Sequence, residues 1–116
     1  MRLKSSIWVA AYVRRCNIEG AFAVVRKRGA EEAGAIFIVV NRQDGTAMLY
    51  GPAPQSTFAE DAPTDRAFSL VIGRDGPVPE TDIDARLQKE SRFDPDLWIV
   101  ECEDRAGRHF LDQVVA

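Results

Sequence analysis

Ala35-Ile-Phe-Ile-Val-Val-Asn-Arg42, then Gln43-Asp-Gly45, then Thr46-Ala-Met-Leu-Tyr50, is the most instructive run in the chain. Residues 35–40 are apolar without interruption, and this lacks the alternation of a half-exposed strand. A strand here must be central and covered on both faces. Asp44-Gly45 is a tight-turn signal, because glycine takes positive φ without steric cost. A hairpin with Asp44-Gly45 as its two-residue loop is expected, pairing Val40 with Leu49 and Val39 with Tyr50.

Outward from the hairpin, Leu3, Ile7 and Ala11 recur at i+4, and Trp8, Tyr12 and Cys16 form a second i+4 row beside them. Together they make a wide apolar stripe suited to a helix packed on a core, from about residue 6 to 18. Ser5 or Ser6 is the expected N-cap and Gly20 the stop. Residues 21–28 read as a strand.

On the other side, residues 67–73 alternate as a strand does. Residues 81–92 place Asp82 and Asp84 early and Arg86, Lys89 and Arg92 late, which suits a helix dipole and offers Asp82–Arg86 and Arg86–Glu90 pairs. The apolar face of this second helix is thin, chiefly Ile83 and Leu87, so it should lie on the sheet surface. Strands at 97–103 and 108–112 complete the chain. Short connections favour antiparallel neighbours, and the expected class is α+β: one domain over 1–116, with a mostly antiparallel sheet of five or six strands and two helices. Between residues 51 and 66, Pro52, Pro54 and Pro63 exclude a continuous regular element. Within this Pro-rich loop Thr57-Phe-Ala-Glu60 matches a capping box that would carry Phe58.

The charge is unevenly placed. The first 42 residues hold Arg2, Lys4, Arg14, Arg15, Arg26, Lys27, Arg28 and Arg42 against Glu19, Glu31 and Glu32, and the whole chain carries −3. A pI near 5.1 speaks against bulk attraction to nucleic acid or anionic membrane, so any such affinity must be local. No stretch approaches the roughly 18 apolar residues of a membrane helix. Two distant cysteines, Cys16 and Cys102, do not make a secreted disulfide framework, and the expected location is the cytoplasm.

Leu3-Lys-Ser-x-x-Trp-Val, Arg14-Arg15, Arg28-Gly29, Ala33-Gly-Ala, Asp44-Gly-Thr, Tyr50-Gly-Pro-Ala-Pro54 and Asp96-Leu-Trp98 together resemble domain-of-unknown-function family 1491, small proteins of alphaproteobacteria. The resemblance spans nearly the whole chain. It implies a stand-alone protein and carries no activity, cofactor or partner with it.

Few residues invite chemistry. Cys16 follows two arginines, but it sits at the negative end of its helix dipole on the core-facing row, as a buried thiol would. His109 and the carboxylates Glu101, Glu103 and Asp104 lie across a predicted turn and are the residues an enzyme reading would test. No nucleophile accompanies them, and Glu101 and Glu103 read as a solvated strand face. There is neither a metal-ligand cluster nor a phosphate-binding glycine loop, so no cofactor is expected.

Two binding readings remain. Arg14, Arg15, Arg26, Arg28 and Arg42 would form a phosphate or RNA site if they converged on one surface. Phe58, alone in a proline-rich acidic loop, would either tuck back onto the core or serve as an anchor for another protein. A small non-enzymatic protein-binding or adaptor domain, docking through a sheet edge or the 51–66 loop, is the leading expectation. Weak RNA or phosphate recognition is the alternative.

Overall fold

A computed structural model describes residues 3–54 and 66–115. In chain order its elements are α1 (Ser5–Ile18), β1 (Phe22–Lys27), β2 (Ile36–Asn41), β3 (Thr46–Pro52), β4 (Phe68–Ile72), β5 (Val78–Pro79), α2 (Glu80–Phe93), β6 (Trp98–Glu103) and β7 (Val114–Val115). The seven strands form one sheet in the order β1-β6-β2-β3-β4-β7, with β5 also paired to β3. Four of the pairings are antiparallel, while β2–β6 and β4–β7 are parallel. The fold is α+β as the sequence indicates, with β5 and β7 as additions of two residues each.

β2 is buried at all six positions, the double coverage that its unbroken apolar run demands. Its even-numbered residues Ile36, Ile38 and Val40 join Val9, Tyr12 and Cys16 of α1 in one core layer. Phe37 and Val39 join Ile83 and Leu87 of α2 in the other. The helices thus cover opposite faces of one sheet, and no helix among the described residues is long and apolar enough to cross a membrane.

The hairpin register differs from the expected one by one residue. Val39 faces Leu49, Val40 faces Met48 and Ile38 faces Tyr50. The Arg42 N–H donates to the Thr46 carbonyl, so the loop has three residues, Gln43 to Gly45. Positive φ falls on Gln43 (63°) and Gly45 (87°) rather than on Asp44. Side chains stabilise this loop: Asn41 Oδ1 accepts the Gln43 N–H at 2.7 Å, and Asp44 Oδ1 accepts the Thr46 N–H at 3.0 Å. Such Asx contacts offer the backbone an alternative to the two-residue turn.

The expected strand at 108–112 does not form. β6 lies between β1 and β2, so both its edges are occupied and nothing can hairpin back onto it. The chain instead crosses the α1 face as an irregular strap. Asp104 accepts the Arg108 N–H at 2.8 Å and its guanidinium at 2.7 and 3.1 Å. Phe110 takes positive φ, Leu111 enters the core, and pairing resumes only at β7.

α1 also departs from expectation. Its buried side chains are Ser5, Val9, Tyr12 and Cys16, and Gly20 at φ 90° ends it as foreseen. Neither serine caps it through its side chain. The Ser5 and Ser6 N–H groups donate to the carbonyls of Glu32 and Glu31, and the buried Ser5 hydroxyl donates to the Gly34 carbonyl at 2.7 Å. The Leu3-Ile7-Ala11 row, expected in the core, faces outward.

Several of the family-like motifs meet at one joint. A Cβ on Gly29 or Gly34 would collide with the Asp96 carbonyl, the same oxygen that accepts the Ala30 N–H at 2.8 Å. The Trp98 indole N–H donates to the Ala30 carbonyl at 2.8 Å, and the Arg28 guanidinium lies 5.1 Å over that ring. Only glycine permits so close an approach of two backbones.

Candidate interaction surface

The five arginines do not converge. Arg15 grips Asp112 through both terminal nitrogens, at 2.6 and 3.1 Å, and ties the C-terminal strap to α1. Its guanidinium is held above the ordinary range by that hydrogen-bonded pair. Arg26 lies on the opposite face of the sheet, donating to Glu101 at 3.1 Å and to Asp84 at 3.0 Å. Arg28 stacks on Trp98 at the end of β1. Arg42 sits at the hairpin end of β2, near Gly107, with its Nε buried and unpartnered. Arg14 is exposed on α1 and makes no ion pair among the described residues. Phe58 lies outside the described residues.

The acidic residues and His109 are also absorbed in structural contacts. Glu101 and Glu103 do not form an open solvated face. The Glu101 side chain is only 15% exposed and accepts from Arg26 and from the Asn41 amide. Asn41 Nδ2 also donates to Glu80 at 2.8 Å, and Glu103 accepts from Gln43 at 3.1 Å. This network fastens the start of α2 to the sheet. Burial pushes the Glu101 carboxyl up, against the opposing pull of Arg26 and Asn41. Among the described residues His109 contacts no carboxylate. Its Nδ1 accepts the Leu111 N–H at 2.8 Å and its ring meets Tyr50 edge-on at 5.1 Å, so burial holds it neutral and lowers its pKa.

Cys16 and Cys102, on separate elements, both reach zero exposure in the same core layer. A hydrogen bond that the Cys102 thiol donates to Cys16, with burial, holds Cys102 above the ordinary range. The Tyr12 hydroxyl beside them donates to the His109 carbonyl at 2.7 Å and fixes the strap.

Two concavities lie among the described residues. One of about 250 Å³ lies among Ala35, Ile36, Phe68 and the buried Arg66, whose guanidinium donates at 3.0 Å to the Leu3 carbonyl and the Ser5 hydroxyl. An open groove of about 510 Å³ runs between β1 and α2, walled by Arg26, Lys27, Asp84 and Leu87. The adjoining edge of β1 carries a bulge between Val25 and Lys27 and ends in basic residues. Both devices discourage a further strand from pairing there.

What stands out is the outer face of α1. Leu3 is 46% exposed, Ile7 52% and Ile18 72%, with exposed Ala10, Ala11 and Arg14 between them. At 100° per residue the five that belong to the helix, Ile7, Ala10, Ala11, Arg14 and Ile18, fall within about a third of its circumference, opposite Val9, Tyr12 and Cys16, and Leu3 lies just before its start. α1 is therefore apolar on two sides, and a helix apolar all round is normally covered all round. The sequence showed both rows, but periodicity alone could not say that only one meets the core.

The chain is similar over its full length to a protein from Caulobacter crescentus CB15 with a 1.87 Å crystal structure, at 41% identity, complete coverage of both chains and a TM-score of 0.79. An NMR structure of a protein of the same family from that organism gives 40% identity, TM-score 0.78, and coverage of 100% of this chain and 99% of the other. The solution structure of a protein from A. tumefaciens is 47% identical, with TM-score 0.74, over 89% of this chain and 86% of the other. No curated protein matches the chain. Residues 3–112 match the model of a protein family of unknown function, and with the two Caulobacter structures drawn from that same family, the chain belongs to DUF1491.

Proposed function

We propose that this is a small non-enzymatic protein-binding domain of the cytoplasm whose docking face is the outer side of α1. The observation that carries the reading is the exposure of Ile7 and Ile18 on a helix whose opposite face already fills the core. Large apolar side chains aligned at helical spacing and flanked by charge are what a partner helix needs from a surface. The dispersal of the arginines over both sheet faces leaves RNA or phosphate recognition without a common surface. The engagement of His109, Glu101 and Glu103 in structural hydrogen bonds supports a non-catalytic role.

The test places a photo-reactive phenylalanine analogue at position 11 of the full chain, in its native cytoplasm, with the same analogue at exposed position 89 of α2 as control. A defined protein adduct at 11, absent at 89 and abolished by Ile7→Glu/Ile18→Glu, is expected. Equal labelling at both positions, or none at 11, would overturn the reading.

A further inference from the structure

The outer face of α1 is self-complementary. A two-fold axis placed between Ala10 and Ala11, with a second α1 running antiparallel, sets Leu3 across from Ile18 of the second copy and Ile7 across from its Arg14. It also sets Ala10 across from the second copy's Ala11. Small residues thus meet at the crossing, where helix axes must come closest, Ile7 lies against the aliphatic stem of Arg14, and Ile18 reaches the segment before the second helix that carries exposed Leu3. Over 14 residues the helix is about 21 Å long, so both ends contribute.

Charge follows the same symmetry. Arg14, near the C-terminal end of the stripe, is exposed and makes no ion pair among the described residues. At the other end the Ser6 N–H donates to the Glu31 carbonyl, which holds exposed Glu31 against the start of the helix, and Glu31 likewise makes no ion pair among the described residues. The neighbouring charges are already engaged: Lys4 with Glu32 at 3.8 Å and Arg15 with Asp112. Antiparallel self-pairing brings the two uncommitted charges of opposite sign together twice, once at each end. A C2 interface uses one patch on both subunits, and such a patch must satisfy this end-to-end correspondence.

We infer that the occupant of the α1 face is a second copy of this chain, docked antiparallel with reciprocal Arg14–Glu31 contacts. The inference rests on the docking reading above and names its partner. One helix face falls short of the ~800 Å² per partner of a standard interface, so the dimer is weak and reversible, with a dissociation constant of about 10–100 µM.

Sedimentation velocity on the full chain, from roughly 5 to 500 µM, reads this directly. Wild type should pass reversibly from monomer to dimer, and Ile7→Glu/Ile18→Glu should remain monomeric with an unchanged circular dichroism spectrum. Arg14→Glu alone and Glu31→Arg alone should each weaken association about 5- to 10-fold, and the combined swap should restore it. A monomer at every concentration overturns the inference, as does a dimer indifferent to Ile7 and Ile18, or a combined swap that fails to restore. The photo-adduct separates the two levels. A position-11 adduct to a different protein, with no self-association, sinks the second copy and leaves the docking face standing, whereas absence of any adduct sinks both.

Discussion

α1 and α2 are both 14 residues long and cover opposite faces of one sheet, yet they dispose of their apolar side chains differently. α2 is mostly polar, and its two buried anchors, Ile83 and Leu87, sit one turn apart facing the sheet. Its first turn carries Glu80 and Asp82, which favour the positive end of the dipole, and Arg86–Glu90 pairs at 3.0 Å along its side. Asp82 makes no salt bridge among the described residues, although its spacing to Arg86 allows one. α1 has no acidic residue, buries one apolar row and exposes another. A helix that only packs on a sheet needs one row, so the second row of α1 is surplus to the fold.

The contrast can be broken most sharply by making the same change on both helices. Ile83→Ala, at 1% exposure, should lose about 2–5 kcal/mol in a denaturant melt. Ile7→Ala, at 52%, should leave the stability of the monomer within about 0.5 kcal/mol. Comparable losses at the two sites would mean that the outer row of α1 belongs to the core after all.

A smaller effect separates the two helix starts. α2 begins after Pro79 with no side-chain cap. The start of α1 is locked to the 30–34 loop through a buried hydroxyl, since Ser5 Oγ gives its proton to the Gly34 carbonyl and accepts from Arg66. Ser5→Ala leaves the Gly34 carbonyl without its buried donor and removes one acceptor of Arg66, and should cost about 1–3 kcal/mol. Ser6→Ala keeps the backbone N–H that donates to the Glu31 carbonyl and should cost far less. Equal melts for Ser5→Ala and wild type would show that the hydroxyl is dispensable.

The smallest effect concerns the two faces of the sheet at mild acidity. The α1 face holds a neutral imidazole, His109, lowered by burial from its ordinary 6.5. The unfolded chain takes up this proton at higher pH than the native protein. Stability from this group is therefore full above 6.5 and is lost as pH falls through 6.5 toward the lower native value. Urea midpoints should fall between pH 7.5 and 5.5. His109→Asn, which keeps an acceptor for the Leu111 N–H but does not titrate, should show a flatter profile. An identical slope in the variant would assign the pH dependence elsewhere.

Local signals carried much of the fold. Both helices fall within a residue or two of the ranges read from periodicity, and the long strands β1 to β4 and β6 fall where apolar runs and turn residues put them. The hairpin register was not legible for a specific reason. A one-residue slip moves every side chain to the other face, and this ordinarily identifies the correct register. β2 is apolar on both faces, so a slip left its pattern unchanged, and the choice passed to the Asn41 and Asp44 side chains in the loop. The candidate site was half legible. The Leu3-Ile7-Ala11 row was visible at i+4, as was the Trp8-Tyr12-Cys16 row. Which of them faced water depended on where the sheet lay.

By itself the sequence determined the α+β class, the positions of the helices, the double burial of β2 and the thin footing of α2, because each follows from the period of side chains within one element. Only the tertiary structure decided that β6 inserts between β1 and β2, and this insertion turned the C-terminal strand into a strap. It also decided that the arginines scatter over both faces, that two distant thiols meet, and that one of two apolar rows on α1 is left outside. Those outcomes depend on which elements become neighbours, and strands so far apart in sequence are matched by the packing of whole faces, which no local period encodes.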